Sequence, residues 1–151
     1  MGLVREDAVK IRILYHQVMS SETGDQAVLL VIDENHVRKI AESTLEKAGF
    51  RVVALSSVEA SYDFLRDNIA GVKLAVVDAD MAGGDPYEFL RMIRQVAPGL
   101  RVLLLSGDIE STLTNACAAQ KPCWTMRKPY RRAQLLGHVI KAVNEPLVLS
   151  A

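Results

Sequence analysis

Between residues 27 and 144, short apolar runs alternate with longer segments in which apolar residues recur every three or four positions. This is the pattern of βαβ units building a parallel sheet, and five repeats fit. The first run, 27–32, leads into a segment whose Val37, Ile40, Ala41, Thr44, Leu45 and Ala48 share one helical face before Gly49 stops it. Residues 51–55 read as a second strand. Ser56 and Glu59 then form a capping-box pattern for a helix running to about Ile69, with Tyr62 and Leu65, or Leu65 and Ile69, turned inward. The run 74–77 is continuously apolar, as expected of a strand covered on both faces. Asp85 is a natural N-cap, Pro86 suits the first helical position, and Phe89, Leu90, Ile93 and Ala97 make the buried stripe of a third helix that Pro98-Gly99 ends. A strand at 101–105, a helix at 110–120, a strand at 124–126 and a helix at 131–144 complete the series. The last helix has Leu135, Leu136, Val139, Ile140 and Val143 as its apolar side.

Residues 1–26 stand outside the repeat. Val9, Ile11, Ile13 and Tyr15 alternate like a strand, while Ala8, Ile11, Tyr15 and Val18 fit a helix, which is the preferred reading; the polar stretch 20–26 reads as a linker. The expected organisation is an extension at 1–26, one domain at 27–145 and a tail at 146–151. With 151 residues at 50% hydrophobic content, that domain can bury a full core. Eighteen basic residues balance eighteen acidic ones, leaving no strong field to draw the chain to nucleic acid or an anionic membrane. No apolar run approaches the ~20 residues of a membrane span, and Arg5, Glu6, Asp7, Lys10 and Arg12 interrupt the start, so a soluble cytoplasmic protein without a signal peptide is expected. Cys117 and Cys123 read as free thiols, because nothing else suggests a secreted, cross-linked scaffold. His16, His36 and His138 are scattered and have no zinc spacing.

Four successive strand ends deliver a polar group: Asp33, Asp78, Ser106 and Lys128. Each has an ordinary reading alone, as a helix cap, a Ser-Gly turn or a solvated cation. In an open parallel sheet, however, the loops at the carboxyl ends of the strands converge on one crevice where ligands bind. Two acids, a hydroxyl and an amine converging there point to an aspartate that receives phosphate.

The stretches LLVIDENHVR, LAVVDADMAGGDPYEFLRMIR, RVLLLSGD and MRKPY, in this order over about 27–144, resemble the receiver domain of two-component response regulators. They look most like receivers attached to the C-terminal end of hybrid histidine kinases. The resemblance implies a flavodoxin-like, three-layer (βα)5 sandwich with a five-stranded parallel sheet in the order 2-1-3-4-5. It makes Asp78 the phosphoacceptor, a nucleophile already ionised at neutral pH. Ser106 and Lys128 take the phosphoryl oxygens, and Asp33, Asp78 and the backbone carbonyl of Asp80 hold Mg²⁺. The Lys128–Pro129 bond is cis in the family. A histidine kinase or phosphotransfer protein is the implied donor, and a homodimer is compatible with the pattern. Catalysis is limited to self-phosphorylation and self-dephosphorylation, since no Gly-rich phosphate loop, nucleophile elbow or His/acid pair suggests a metabolic enzyme. Phosphate adds up to about two negative charges, which draw Ser106 and Lys128 inward and move the surface of the fourth helix, fifth strand and fifth helix.

The sequence departs from the family at several points. Ile32 takes the place of the first of two adjacent acids, unless Asp33-Glu34 supplies both in another register, so weak Mg²⁺ binding is expected. Ala82 replaces a usual Pro, Pro86 a usual Gly, and Thr125 the aromatic switch residue, with Trp124 pointing to the opposite face. A second reading follows from Ile32: a degenerate receiver that binds a protein partner or dimerises without phosphorylation. No DNA-binding or catalytic output segment is read after Glu145, so any response is expected to pass to a separate partner, to another chain or to a region outside this sequence.

Overall fold

The computed structural model describes residues 26–81, 85–108 and 111–146. The five apolar runs are strands β1 (Ala27–Val31), β2 (Val52–Leu55), β3 (Val72–Asp78), β4 (Arg101–Ser106) and β5 (Cys123–Arg127). Between and after them lie helices α1 (Asn35–Lys47), α2 (Val58–Asn68), α3 (Pro86–Val96), α4 (Ser111–Ala119) and α5 (Arg132–Asn144). Every strand pair is parallel, and the sheet order is β2-β1-β3-β4-β5, as expected. The chain reverses its direction of travel across the sheet between β1 and β3, so the connections leaving those two strands part and open a crevice at their carboxyl ends. Of the extension and linker expected at 1–26, only Gln26 is described, its side-chain amide donating to Ala70 O at 2.7 Å. The tail beyond residue 146 also lies outside the described residues.

Side-chain alternation along each strand sorts the core into two layers. Leu29, Val31, Val53, Leu55, Ala75, Val77, Val102 and Leu104 meet Ala60, Phe64 and Leu65 of α2, Phe89, Leu90 and Ile93 of α3, and Leu113 and Ala116 of α4. On the other face, Val28, Leu30, Ile32, Leu74, Val76, Leu103, Leu105 and Met126 meet Ala41 and Leu45 of α1 and Leu135, Val139, Ala142 and Val143 of α5. Gly49 takes a φ of +97° after α1, a conformation that glycine adopts without steric cost. Asp85 caps α3 as expected, its carboxylate accepting from Tyr87 N at 3.0 Å with Pro86 in the first turn. No helix among the described residues is long and apolar enough to cross a membrane.

Four local expectations are corrected. The N-cap of α2 is Ser57, whose Oγ accepts from Ala60 N, rather than Ser56; the hydroxyl one residue later is the one that faces the free N–H of the first turn. Of the two inward pairs allowed for α2, Tyr62 with Leu65 holds and Leu65 with Ile69 does not: Ile69 is 43% exposed because the α-helix ends at Asn68 and tightens into a 3-10 turn, Ile69–Gly71, that rotates it outward. Ile140 is 44% exposed and Ala142 is buried in its stead, since the stripe facing the sheet is narrower than the apolar pattern. Cys117 and Cys123 are joined in a disulfide rather than free. The inward face of α4 carries Cys117, the chain turns back at once into β5, and the two Cα atoms come within 5.2 Å, inside bridging range. Of the histidines, His36 and His138 are exposed and His16 lies outside the described residues.

Arg94, half-buried near the end of α3, ties this side of the sheet together. Its guanidinium donates to the carbonyls of Gln120 (2.7 and 3.0 Å), Pro122 (2.9 Å), Leu100 (2.6 Å) and Ala97 (3.3 Å). It thereby holds the turns before β4 and before β5 to one helix. Burial lowers its pKa from the usual arginine value, yet the rigid five-donor fork keeps it charged and matched to carbonyls that a lysine cannot satisfy together. Arg94→Ala is expected to cost roughly 2–3 kcal/mol by urea denaturation, because several carbonyls lose a charged donor. Arg94→Lys is expected to recover less than half of that loss.

Candidate functional site

The carboxyl ends of β3, β4 and β5 lie side by side because the register pairs Asp78 with Leu105 and Ser106 with Arg127. Asp78 ends β3 with its side chain 12% exposed. Lys128, one residue past β5, reaches across the end of β4 and donates to Asp78 Oδ1 at 2.9 Å and Oδ2 at 3.0 Å. The backbone helps to set its height, with Lys128 N donating to Ser106 O at 2.8 Å. The following Lys128–Pro129 peptide is cis.

Asp80, two residues beyond Asp78, is the group the sequence reading valued only for its carbonyl. Its side chain is among the most heavily bonded at the rim. Oδ1 lies 2.7 Å from Ser106 Oγ, and Oδ2 accepts from Gly107 N at 2.6 Å and pairs with Lys128 Nζ at 3.0 Å. Its backbone N–H donates to Asp78 Oδ1 at 2.9 Å, so the two acids are linked through the chain as well as through the lysine. Ser106 Oγ in turn accepts from Asp108 N at 3.1 Å, and its one proton has two acceptors in reach, the Asp80 carboxylate at 2.7 Å and the Asp108 carbonyl at 3.0 Å, of which the charged and nearer one is the stronger. In the sequence the only signal for this role is a second acid two residues after Asp78, since the lysine that joins the two lies 50 residues away.

Asp33 stands apart from this group. It is exposed, two residues past Val31, which pairs with Val77, and it borders a separate hollow of about 330 Å³ lined by Ser56, Ser57, Met81 and Asp85. Arg38 fixes the turn after β1 by donating to Ile32 O (2.9 Å), Asp33 O (3.2 Å) and Asn35 Oδ1 (2.8 Å). Ile32 is fully buried against the α1/α5 layer, so no acid comes from that position. Among the described residues no three His, Cys, Asp or Glu side chains gather as a metal cluster. The oxygens expected to hold a cation, on Asp33, Asp78 and the Asp80 carbonyl, are hard donors of the kind a small divalent ion takes, but Asp33 borders the separate hollow. Asp78 and Lys128 also line a larger groove, about 530 Å³, with Ile32, Val37, Ile40 and Tyr130 among its walls. Trp124 packs into the α1/α5 layer whereas Cys123 packs into the other, so Thr125 turns away from Trp124 as the alternation predicts.

The charges respond to each other. Burial alone would lower the Lys128 pKa, but its bonds to Asp78 and Asp80 raise it above the usual lysine value. Burial alone would raise the Asp80 pKa, but the Gly107 amide, the Ser106 hydroxyl and Lys128 bring it below the usual carboxylate value. The Tyr130 phenol is pushed up by burial and then by Asp78, with Lys128 opposing. By linkage, the raised lysine stabilises the fold below its unfolded pKa, and this is lost as pH rises through the folded value. The depressed Asp80 stabilises it above the unfolded carboxylate pKa, and this is lost as pH falls through the folded value. The stability gap between wild type and Lys128→Met is therefore expected to be widest near neutral pH and to close at both the acid and the strongly alkaline ends. Urea denaturation across pH checks this, and a gap that is constant with pH contradicts it.

Comparison with known proteins bears on this geometry. The family model for the response regulator receiver domain matches residues 28–140. The response regulator receiver protein CpdR of Brucella abortus (strain 2308) is 25% identical over 114 residues, covering 76% of this chain and 93% of CpdR. The sensor kinase CckA of the same strain is 26% identical over 113 residues, which is 75% of this chain but 12% of CckA. A crystal structure of the receiver domain from the hybrid histidine kinase CckA superposes with a TM-score of 0.66 at 22% identity, covering 78% of this chain and 99% of that domain, a likeness of fold.

Proposed function

We propose that this chain, which belongs to the response regulator receiver domain family of two-component signalling, takes a phosphoryl group onto Asp78 from a phosphohistidine on a histidine kinase or phosphotransfer protein. The observation that carries the reading is the Asp78 carboxylate held at both oxygens by Lys128 Nζ, with the Ser106 hydroxyl one strand end away. In the transfer an Asp78 carboxylate oxygen forms the new bond to phosphorus as the N–P bond of the donor breaks, and the imidazole takes a proton from solvent. The product is an acyl phosphate.

Each residue has a task that its position supports. Lys128 orients the Asp78 carboxylate beforehand and then offsets charge on the transferring oxygens, where positioning and electrostatics do most of the work. Ser106 and the Gly107 amide supply neutral donors for a second oxygen. Asp33, Asp78 and the Asp80 carbonyl are the groups for Mg²⁺, which when bound neutralises phosphoryl charge. Because fully buried Ile32 contributes no oxygen, Mg²⁺ affinity is weakened by roughly 10–100-fold relative to a site with that acid. The phosphoryl group's charge redistributes the bonds of Ser106 and Lys128 and so biases the α4–β5–α5 surface, with no chemistry beyond self-phosphorylation and self-dephosphorylation. The charge balance and the absence of a membrane-length helix among the described residues suit a cytoplasmic protein acting through protein partners.

Buried Ile32 also favours a second reading, a receiver that binds a partner or a second copy without phosphorylation. Incubation with acetyl phosphate and Mg²⁺ separates the two. Intact mass is expected to rise by one phosphoryl group in wild type and to stay unchanged in Asp78→Asn; no adduct on wild type supports the second reading instead. Titration of Mg²⁺ against the half-buried Trp124 is expected to give a dissociation constant in the millimolar range, on the order of the stated weakening. Micromolar binding contradicts the role given to Ile32.

A further inference from the structure

Three donors of different kinds converge on one side-chain carboxylate beside Asp78. Ser106 Oγ lies 2.7 Å from Asp80 Oδ1, Gly107 N 2.6 Å from Oδ2, and Lys128 Nζ 3.0 Å from Oδ2. A hydroxyl, a backbone amide and an ammonium aimed at a single anion make an anion-binding set, and here the anion belongs to the chain itself. These are the donors that a phosphoryl group on Asp78 needs. Asp80 is also covalently close to that residue, and its own N–H is bonded to Asp78 Oδ1 at 2.9 Å. The Ser106 hydroxyl and the Gly107 amide have one proton each and cannot serve both anions; Lys128, with three, already serves Asp78 and Asp80 together, but a carboxylate and a phosphoryl group held at the same atoms repel each other.

From this geometry we infer that the Asp80 carboxylate is an internal competitor for the phosphoryl-binding donors. It holds Ser106, Gly107 and Lys128 in the unphosphorylated state and must leave before a phosphoryl group is bound. The inference rests on the phosphoacceptor reading of Asp78 and adds a residue that sets how tightly the modified state is held. Departure is feasible because the Asp80 side chain is 39% exposed and can turn to solvent. It is also costly, since the bonds from Ser106, Gly107 and Lys128 are all made to a charged acceptor and exceed neutral ones in strength. Gly107 is part of the design. A Cβ there would lie 3.4 Å from Asp80 Oδ2, in contact but without a clash, so what position 107 supplies is the N–H rather than mere room.

The test is a beryllofluoride titration of wild type, Asp80→Ala, Asp80→Asn and Asp78→Asn at saturating Mg²⁺, followed by backbone amide resonances. Hydrogen exchange at the Gly107 amide is measured separately in metal-free buffer. Asp80→Ala is expected to bind beryllofluoride roughly tenfold more tightly than wild type, the equivalent of releasing about one charge-assisted hydrogen bond. Asp80→Asn, which keeps one acceptor oxygen, for Ser106 or for Gly107 but not both, and offers Lys128 no charge, is expected to fall between them. Without metal, the Gly107 amide is expected to exchange faster in Asp80→Ala than in wild type. If wild type binds and Asp80→Ala binds no more tightly, or if Gly107 exchange is unchanged, the competitor role is overturned while the phosphoacceptor reading stands. If neither wild type nor the Asp80 variants bind, or if Asp78→Asn binds as wild type does, that reading falls and takes the inference with it.

Discussion

One ammonium group reaching over the end of a strand is the interaction on which the site depends. Lys128 follows β5 and Asp78 ends β3, with β4 between them. Two inter-strand spacings are about 9–10 Å, a gap that only a long side chain meeting an acid can close. The contact therefore exists only if three strands end at matching heights. Pairing Val77 with Leu104 and Leu105 with Met126 sets those heights. A slip of one residue would send the acid or the amine to the opposite face, because side chains alternate along a strand.

The core enforces that register. Both faces of the central strands are buried, so each residue of β3 from Leu74 to Val77 is committed to one layer or the other. Chemistry begins where this apolar commitment stops, at Asp78, Ser106 and Lys128. Ile32 shows the same boundary from the other direction. In β1 the apolar run continues one residue further, and the layer formed by Leu105, Met126 and Leu135 absorbs it. The site thereby has less negative charge than two adjacent acids would give it, while Asp80 contributes a carboxylate of its own beside Lys128.

The elements were legible in the sequence because strands covered on both faces read as continuous apolar runs between segments of helical period, whereas the strand order came from the family resemblance alone. Asp85 capping α3, Gly49 ending α1 and the layer stripe of Phe89, Leu90, Ile93 and Ala97 are all direct readings of pattern. The errors fall where the pattern is locally degenerate. Two adjacent serines offered two caps, Ile69 and Ile140 extended apolar stripes past the buried face, and two cysteines six residues apart gave no hint of the turn that joins them. Asp78 and Ser106, which end strands, and Lys128, which follows one, were legible as neighbours because strand ends converge at one edge of a parallel sheet. The side chain of Asp80 and the amide of Gly107 were missed because their roles depend on how two loops fold against each other, which periodicity does not encode. Asp33 was placed correctly at a strand end, but its side chain opens toward the hollow beside Ser57 and Asp85 rather than into the bonded group.

The central claim is that the carboxylate held by Lys128 is the one that becomes an acyl phosphate. Borohydride reduction of the phosphorylated protein, followed by peptide mapping, tests it most directly, because it converts an aspartyl phosphate to homoserine at the modified position. The account predicts homoserine at position 78 alone. Homoserine at position 33 or 80, or none after incubation with a phosphoryl donor and Mg²⁺, contradicts it.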